Sequence, residues 1–126
     1  MKRLIISLVL ALSALAASMF EVAYVSGKSD GYAERINKID KLISDGNSDK
    51  AITECKKLEA DWERGSRKSY VLLSHDAVDS VGFCISRMSA FLAKGSYQMY
   101  FAESKSAKKG LASIKGSEYP LIENIL

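Results

Sequence analysis

Apolar residues are distributed in two regimes along the chain. From Leu4 to Phe20 they form a block without a single charge, and beyond Ser26 they return only as stripes. Tyr32, Ile36, Ile39 and Ile43 recur at spacings of four, three and four, which is one face of an amphipathic helix. Asp45-Gly46-Asn47 closes that element, Ser48 offers an N-cap, and Ala51, Cys55, Leu58 and Trp62 make the next stripe. Gly65-Ser66 interrupts the pattern, and Tyr70-Val71-Leu72-Leu73 reads equally as helix or extended connector. With Ser74 as cap, a third helix carries Val78, Val81, Ile85, Met88 and Leu92, ending at Gly95. Ser96 caps a fourth, whose stripe of Tyr97, Tyr100, Phe101, Ser104, Ala107, Leu111 and Ile114 is diluted by Ser104 and Gly110. Gly116 is expected to end it, with Pro120 opening a short last turn. No strand-period alternation occurs. The expected fold class is all-α: an N-terminal transmembrane helix followed by a small antiparallel bundle of about four helices.

The apolar block sets the division of the chain. As a helix, Leu4 to Phe20 spans about 25 Å, and extension to Val25 reaches about 33 Å, against a hydrocarbon core of roughly 30 Å. Residues 1–25 are therefore read as a membrane anchor, 26–31 as a polar joint where a helix can kink or break, and 32–126 as a helical domain. The rival reading is a signal peptide cleaved near Ala16, because Ala14-Leu15-Ala16 fits an A-x-A site. In either case Lys2 and Arg3 hold the N-terminus on the cytoplasmic side and send the domain out of the cytoplasm.

Composition adds limits. Of the 126 residues 48% are hydrophobic and 26% charged, and 18 basic residues face 15 acidic ones. Lys2 and Arg3 account for two of the basic residues, so the rest of the chain is nearly neutral, which argues against a nucleic-acid partner. Lys56, Lys57, Arg64, Arg67 and Lys68, and again Lys105, Lys108, Lys109 and Lys115, gather as basic patches, but Glu54, Glu59, Asp61, Glu63 and Glu103 lie among them. They read as solvated helix faces, with contact to anionic headgroups or cell-wall polymers as the alternative.

Candidate chemistry is sparse. His75, Asp76 and Asp79 are the one place where an imidazole and carboxylates cluster, and His75 and Asp79 share a helix face. A metal needs three or four ligands, and the chain has no second histidine, so the helix dipole accounts better for acids at this N-terminus. Cys55 and Cys84 lie on inward stripes, where they can pair as a disulfide or pack as small buried thiols. No phosphate loop, nucleophile elbow or Cys-x-x-Cys motif is present. No catalytic residue, metal or cofactor is expected.

The chain resembles domain-of-unknown-function family 4363. The resemblance rests on Met1-Lys2-Arg3-Leu4-Ile5-Ile6, Trp62 at the end of a charged helix, His75-Asp76-Ala77-Val78-Asp79, Ile85-Ser86-Arg87-Met88 and the closing Ile122-Glu123-Asn124-Ile125-Leu126. It implies a small, membrane-anchored, all-helical protein of Gram-positive spore-forming bacteria with no assigned activity. The serine, glycine and lysine between Ser104 and Gly116 depart from the leucine- and glutamate-rich helix of the family. The expectation is a non-enzymatic, single-pass membrane protein, inserted through residues 4–25, whose extracytoplasmic bundle binds another membrane or envelope protein. A secreted binding module after cleavage, or a metal site at His75 and Asp79, are the alternatives.

Overall fold

The described residues form four helices: α1 (Lys2–Ser44), α2 (Ser48–Ser69), α3 (His75–Ala93) and α4 (Tyr97–Ile125). The computed structural model describes the backbone of residues 1–69 and 75–125, and side chains outside 21, 22, 25, 26, 67–75 and 116–126. The Tyr70–Leu73 run and the Ser74 cap therefore lie outside the described residues. Among the described residues each helix packs mainly against two neighbours, α1 on α2, α2 on α3, α3 on α4 and α4 on α1. This is an up-down-up-down bundle, and its described residues contain no strand.

α1 is 43 residues long, about 65 Å, and only its second half belongs to the bundle. Lys2–Phe20 has a mean hydropathy of 2.1 and no part of it is buried. It is long and apolar enough to cross a membrane. The joint at 26–31 does not break the helix, contrary to the sequence expectation. The reason lies in packing: Ser29, inside the joint, is buried, and it begins the stripe that Tyr32, Ile36 and Ile39 continue. Tertiary contact thus fixes the glycine-containing segment, whose helix penalty is only about 1 kcal/mol per glycine.

The two turns at the end distal to the apolar block share one geometry. Gly46 (φ 85°) and Gly95 (φ 74°) adopt the left-handed conformation that glycine enters without a Cβ penalty. In the first turn the amides of Gly46 and Asn47 donate to Ile43 and Leu42, and in the second those of Gly95 and Ser96 donate to Leu92 and Phe91. Both are Schellman caps. The next residue pair also matches, because the Asn47 and Ser96 carbonyls accept from Ala51 and Tyr100. Asn47, not Ser48, is consequently the N-cap of α2, whose first helical residue is Ser48.

The likeness extends through the core. At an offset of 49 residues, Tyr32 corresponds to Val81, Ile36 to Ile85, Ile39 to Met88, Ala51 to Tyr100, Leu58 to Ala107 and Trp62 to Leu111, all of them buried. The bundle is thus two similar helical hairpins with large and small residues exchanged between equivalent positions, which lets the layers interdigitate at high density. The Tyr97 hydroxyl, 3.1 Å from Ser48 Oγ, ties the two turns together.

α2 continues through Gly65-Ser66, and α4 through Gly116 and Pro120 to Ile125, so neither expected interruption occurs. Gly110, read from sequence as a dilution of the α4 stripe, is a contact point. A Cβ there would sit 2.6 Å from Val81 Cγ2, a branched methyl with little freedom to yield. Gly110→Ala is expected to lower stability by about 1–2 kcal/mol despite the better helix propensity of alanine. Chemical denaturation of the full chain in mild detergent checks this, and a stabilised variant would contradict the close α3–α4 approach.

Candidate functional site

Among the described residues, those singled out by sequence form no ligand cluster. His75 is the first residue of α3 and its side chain lies outside the described residues, while Asp76 and Asp79 are exposed on the first turns of α3. Their placement suits the helix dipole. Among the described residues no three metal-ligating side chains gather. Cys55 and Cys84 are buried free thiols in the structure, on α2 and α3.

Burial pushes the Cys55 thiol up to about 12, with the Glu59 and Asp40 charges adding to it, and burial likewise raises Cys84. Burial also raises the Tyr32 and Tyr100 hydroxyls. Each of these groups is neutral when protonated, so the fold holds its proton while the unfolded chain releases it. Their stabilisation is complete below the unfolded values near 9 and 10 and is lost as pH rises, for Cys55 between about 9 and 12. Each such group steepens the loss by at most about 1.4 kcal/mol per pH unit. Urea unfolding between pH 8 and 11 should show the midpoint falling above pH 9, and less steeply in Cys55→Ala after correction for its lower starting stability.

Two polar assemblies flank α1. The first lies on the α1–α4 seam. Asp40, placed beside the inward Ile39, accepts hydrogen bonds from the Tyr100 hydroxyl (2.8 Å), the Ser104 hydroxyl (2.8 and 3.0 Å) and the Lys108 ammonium (3.0 Å). Lys108 also donates to Asn37 Oδ1, and farther along Lys115 pairs with Asp30. Half of the expected α4 basic patch is therefore committed to the seam. Tyr100 and Ser104 are buried, so the carboxylate satisfies groups that would otherwise be costly to desolvate. The other seam of α4, against α3, carries Arg87 paired with Glu103 at 3.0 Å.

The second assembly is a groove of about 820 Å³ between α1 and α2, at the end from which the apolar helix projects. Ala23, Gly27 and Gly31 form its α1 side with Tyr24, Lys28, Tyr32 and Arg35, and Asp61, Arg64 and Gly65 form its α2 side. Missing side chains make the depression: a Cβ on Gly27 or Gly31 would meet no neighbour within 4 Å. Gly65 instead leaves room for Tyr32, since a Cβ there would be 2.8 Å from the hydroxyl. The Tyr32 ring is held edge-on to buried Trp62, with centroids 4.9 Å apart. Asp61 bridges two guanidinium groups, Arg35 through Oδ2 and Arg64 through Oδ1, both at 2.9 Å. The Arg35 hydrogen bond, opposed in part by desolvation, holds the Asp61 carboxyl below its ordinary value. The Lys28 ammonium lies 5.7 Å from the centre of the Tyr24 ring.

A smaller groove of about 460 Å³ lies farther from the apolar block, between Arg35, Lys38, Lys41 and Leu42 of α1 and Lys50 and Glu54 of α2. Sequence reading identified neither groove. Its available signal was the i, i+4 spacing of Ala23, Gly27 and Gly31, which reads first as a joint.

Fold and site together define a small helical bundle carried on an apolar N-terminal helix, with charged surface grooves beside α1. The chain belongs to the family described as Domain of unknown function (DUF4363), which it matches over residues 19–125. The match covers the whole bundle and begins at the end of the apolar block. No curated protein and no solved structure matches the chain.

Proposed function

We propose that this protein is a non-enzymatic, single-pass membrane protein whose bundle stands outside the cytoplasm and binds another membrane or envelope protein. The observation that carries this reading is α1 itself. An exposed apolar span continues without a break into the packed wall of the bundle, so the helix serves as anchor and structural element at once. Lys2 and Arg3 orient it with the N-terminus inside.

The chemistry of the bundle supports a binding role. Both thiols are held protonated by burial, which makes them poor nucleophiles. The Asp40 carboxylate is saturated by its own neighbours. In contrast, the outer surface presents large apolar side chains, with Phe83 on α3 62% exposed and Met99 on α4 50% exposed. Scattered single apolar residues are ordinary, and these two are simply the best places to probe for a neighbour.

The test is in-cell photo-crosslinking of the full chain with a photoreactive residue at Phe83, Met99 or Arg64. The expected result is a specific adduct with a membrane or envelope protein from at least one position, absent when the probe replaces buried Ile36. No adduct from any of the exposed positions would overturn the protein-partner reading.

A further inference from the structure

The geometry points to the α1–α2 groove as a binding site for the headgroup of an anionic, hydroxyl-bearing phospholipid such as phosphatidylglycerol, in the leaflet from which the bundle emerges. This rests on the anchored reading above.

Three observations support the assignment. The first is charge. Lys28, Arg35 and Arg64 line the groove against the carboxylate of Asp61, the one acidic group among its described lining residues. That carboxylate is shared by two guanidinium groups, each of which keeps further donors, and Lys28 has an aromatic ring as its neighbour, with no carboxylate paired to it among the described residues. A guanidinium fork and an ammonium are the side chains that recognise a phosphate diester.

The second is level. Lys28 is three residues beyond Val25, where the anchor of residues 4–25 ends, and so about 4.5 Å along the helix axis, within the headgroup layer that extends some 5–8 Å past the hydrocarbon. Side chains on a helix tilt toward its N-terminus, so Tyr24, Lys28 and Arg35 lean down α1 toward the bilayer. A lysine stem can lower its ammonium further into the headgroup layer, and Tyr24 is of the type that settles there.

The third is shape. The floor of Gly27 and Gly31 lets a ligand approach the helix backbone closely, and Tyr32, fixed by Trp62, walls the upper part. Asp61 at that end can accept hydrogen bonds from headgroup hydroxyls, which distinguishes a glycerol-bearing headgroup from a choline one. A second copy of the chain is a poorer occupant. Twofold packing on this face would set its predominantly positive rim against the same rim.

The experiment is native mass spectrometry of the full chain released from micelles containing equal phosphatidylglycerol and phosphatidylcholine. The wild type is expected to retain phosphatidylglycerol in preference. Lys28→Gln combined with Arg64→Gln should reduce that preference about thirtyfold, as follows from roughly 1 kcal/mol for each of the two basic contacts. Lys105→Gln combined with Lys109→Gln, exposed on α4 outside the groove, should leave it unchanged. Circular dichroism confirms that both double variants keep their helices. Equal retention of the two lipids, or an unchanged preference in the Lys28/Arg64 variant, would overturn the proposal. Displacement of the lipid by millimolar inorganic phosphate would overturn the lipid assignment in favour of a free anion. The same spectra give the chain mass, so loss of the N-terminal segment, which would contradict the anchored reading, is seen separately from loss of lipid preference.

Discussion

Replacing Asp40 with alanine is expected to lower the unfolding free energy by about 3 kcal/mol, among the largest effects of any single polar substitution in this chain. Asp40 is the common acceptor for the Tyr100 and Ser104 hydroxyls and the Lys108 ammonium. Lys108 is one-third exposed and retains Asn37 and water, so its loss is small. The two hydroxyls are buried, and each orphaned donor costs about 1–3 kcal/mol. Tyr100→Phe in the Asp40→Ala background should cost much less than in the wild type, because the hydroxyl it removes has already lost its acceptor. Urea unfolding followed by Trp62 fluorescence, on the full chain in mild detergent, measures all four corners of that cycle. A loss below about 1 kcal/mol for Asp40→Ala, or strict additivity with Tyr100→Phe, would show that the network does not bind α4 to α1.

The second large effect is expected from Leu58→Ala, at about 4 kcal/mol, near the upper part of the range for buried leucine truncations. Leu58 is fully buried, and its counterpart in the other hairpin is the equally buried Ala107, at the same height in the bundle. The substitution therefore leaves alanine at both equivalent positions, and the cavity adds to the lost burial. Adding Ala107→Leu should restore part of the lost stability by exchanging the sizes between the two hairpins. Phe83→Ala removes more atoms from the far side of the molecule, yet it should change stability by less than about 0.5 kcal/mol because that ring is mostly in water. Equal losses at Leu58 and Phe83 would contradict the burial pattern.

The sequence carried most of the bundle because its inward positions keep the helical period. The stripes of α1, α2 and α3 are buried as their spacing required, from Tyr32 through Leu92, except that Ile43 and Val78 at their ends are half-buried. What the pattern concealed came from residues whose role depends on a partner in another helix. Ser104 interrupts an apolar stripe, and only the position of Asp40 across the seam turns it into a buried hydrogen-bond donor. Gly110 weakens its own helix but admits Val81 from the next. Gly27 and Gly31 look like punctuation, since local propensity cannot reveal that Ser29 between them is buried and keeps the helix continuous. The groove was illegible for the same reason, because it is defined by absent side chains on two helices. Tyr97 and Phe101 erred in the other direction: both belong to the expected α4 stripe and both are exposed. The acids at 76 and 79 were placed as the dipole requires, but nothing among the described residues joins them into a ligand set.

Retention of α1 as anchor and bundle element together underlies both proposals. It is tested most directly by the intact mass and partitioning of the protein recovered from cells. Retention of α1 places the 13.8 kDa chain in the membrane fraction after a high-salt wash, with Lys105 and Lys109 labelled in intact cells by an amine reagent that cannot cross the membrane. A shortened chain beginning after Ala16 and free in the aqueous fraction would contradict it, as would lysines that label only after the cells are broken.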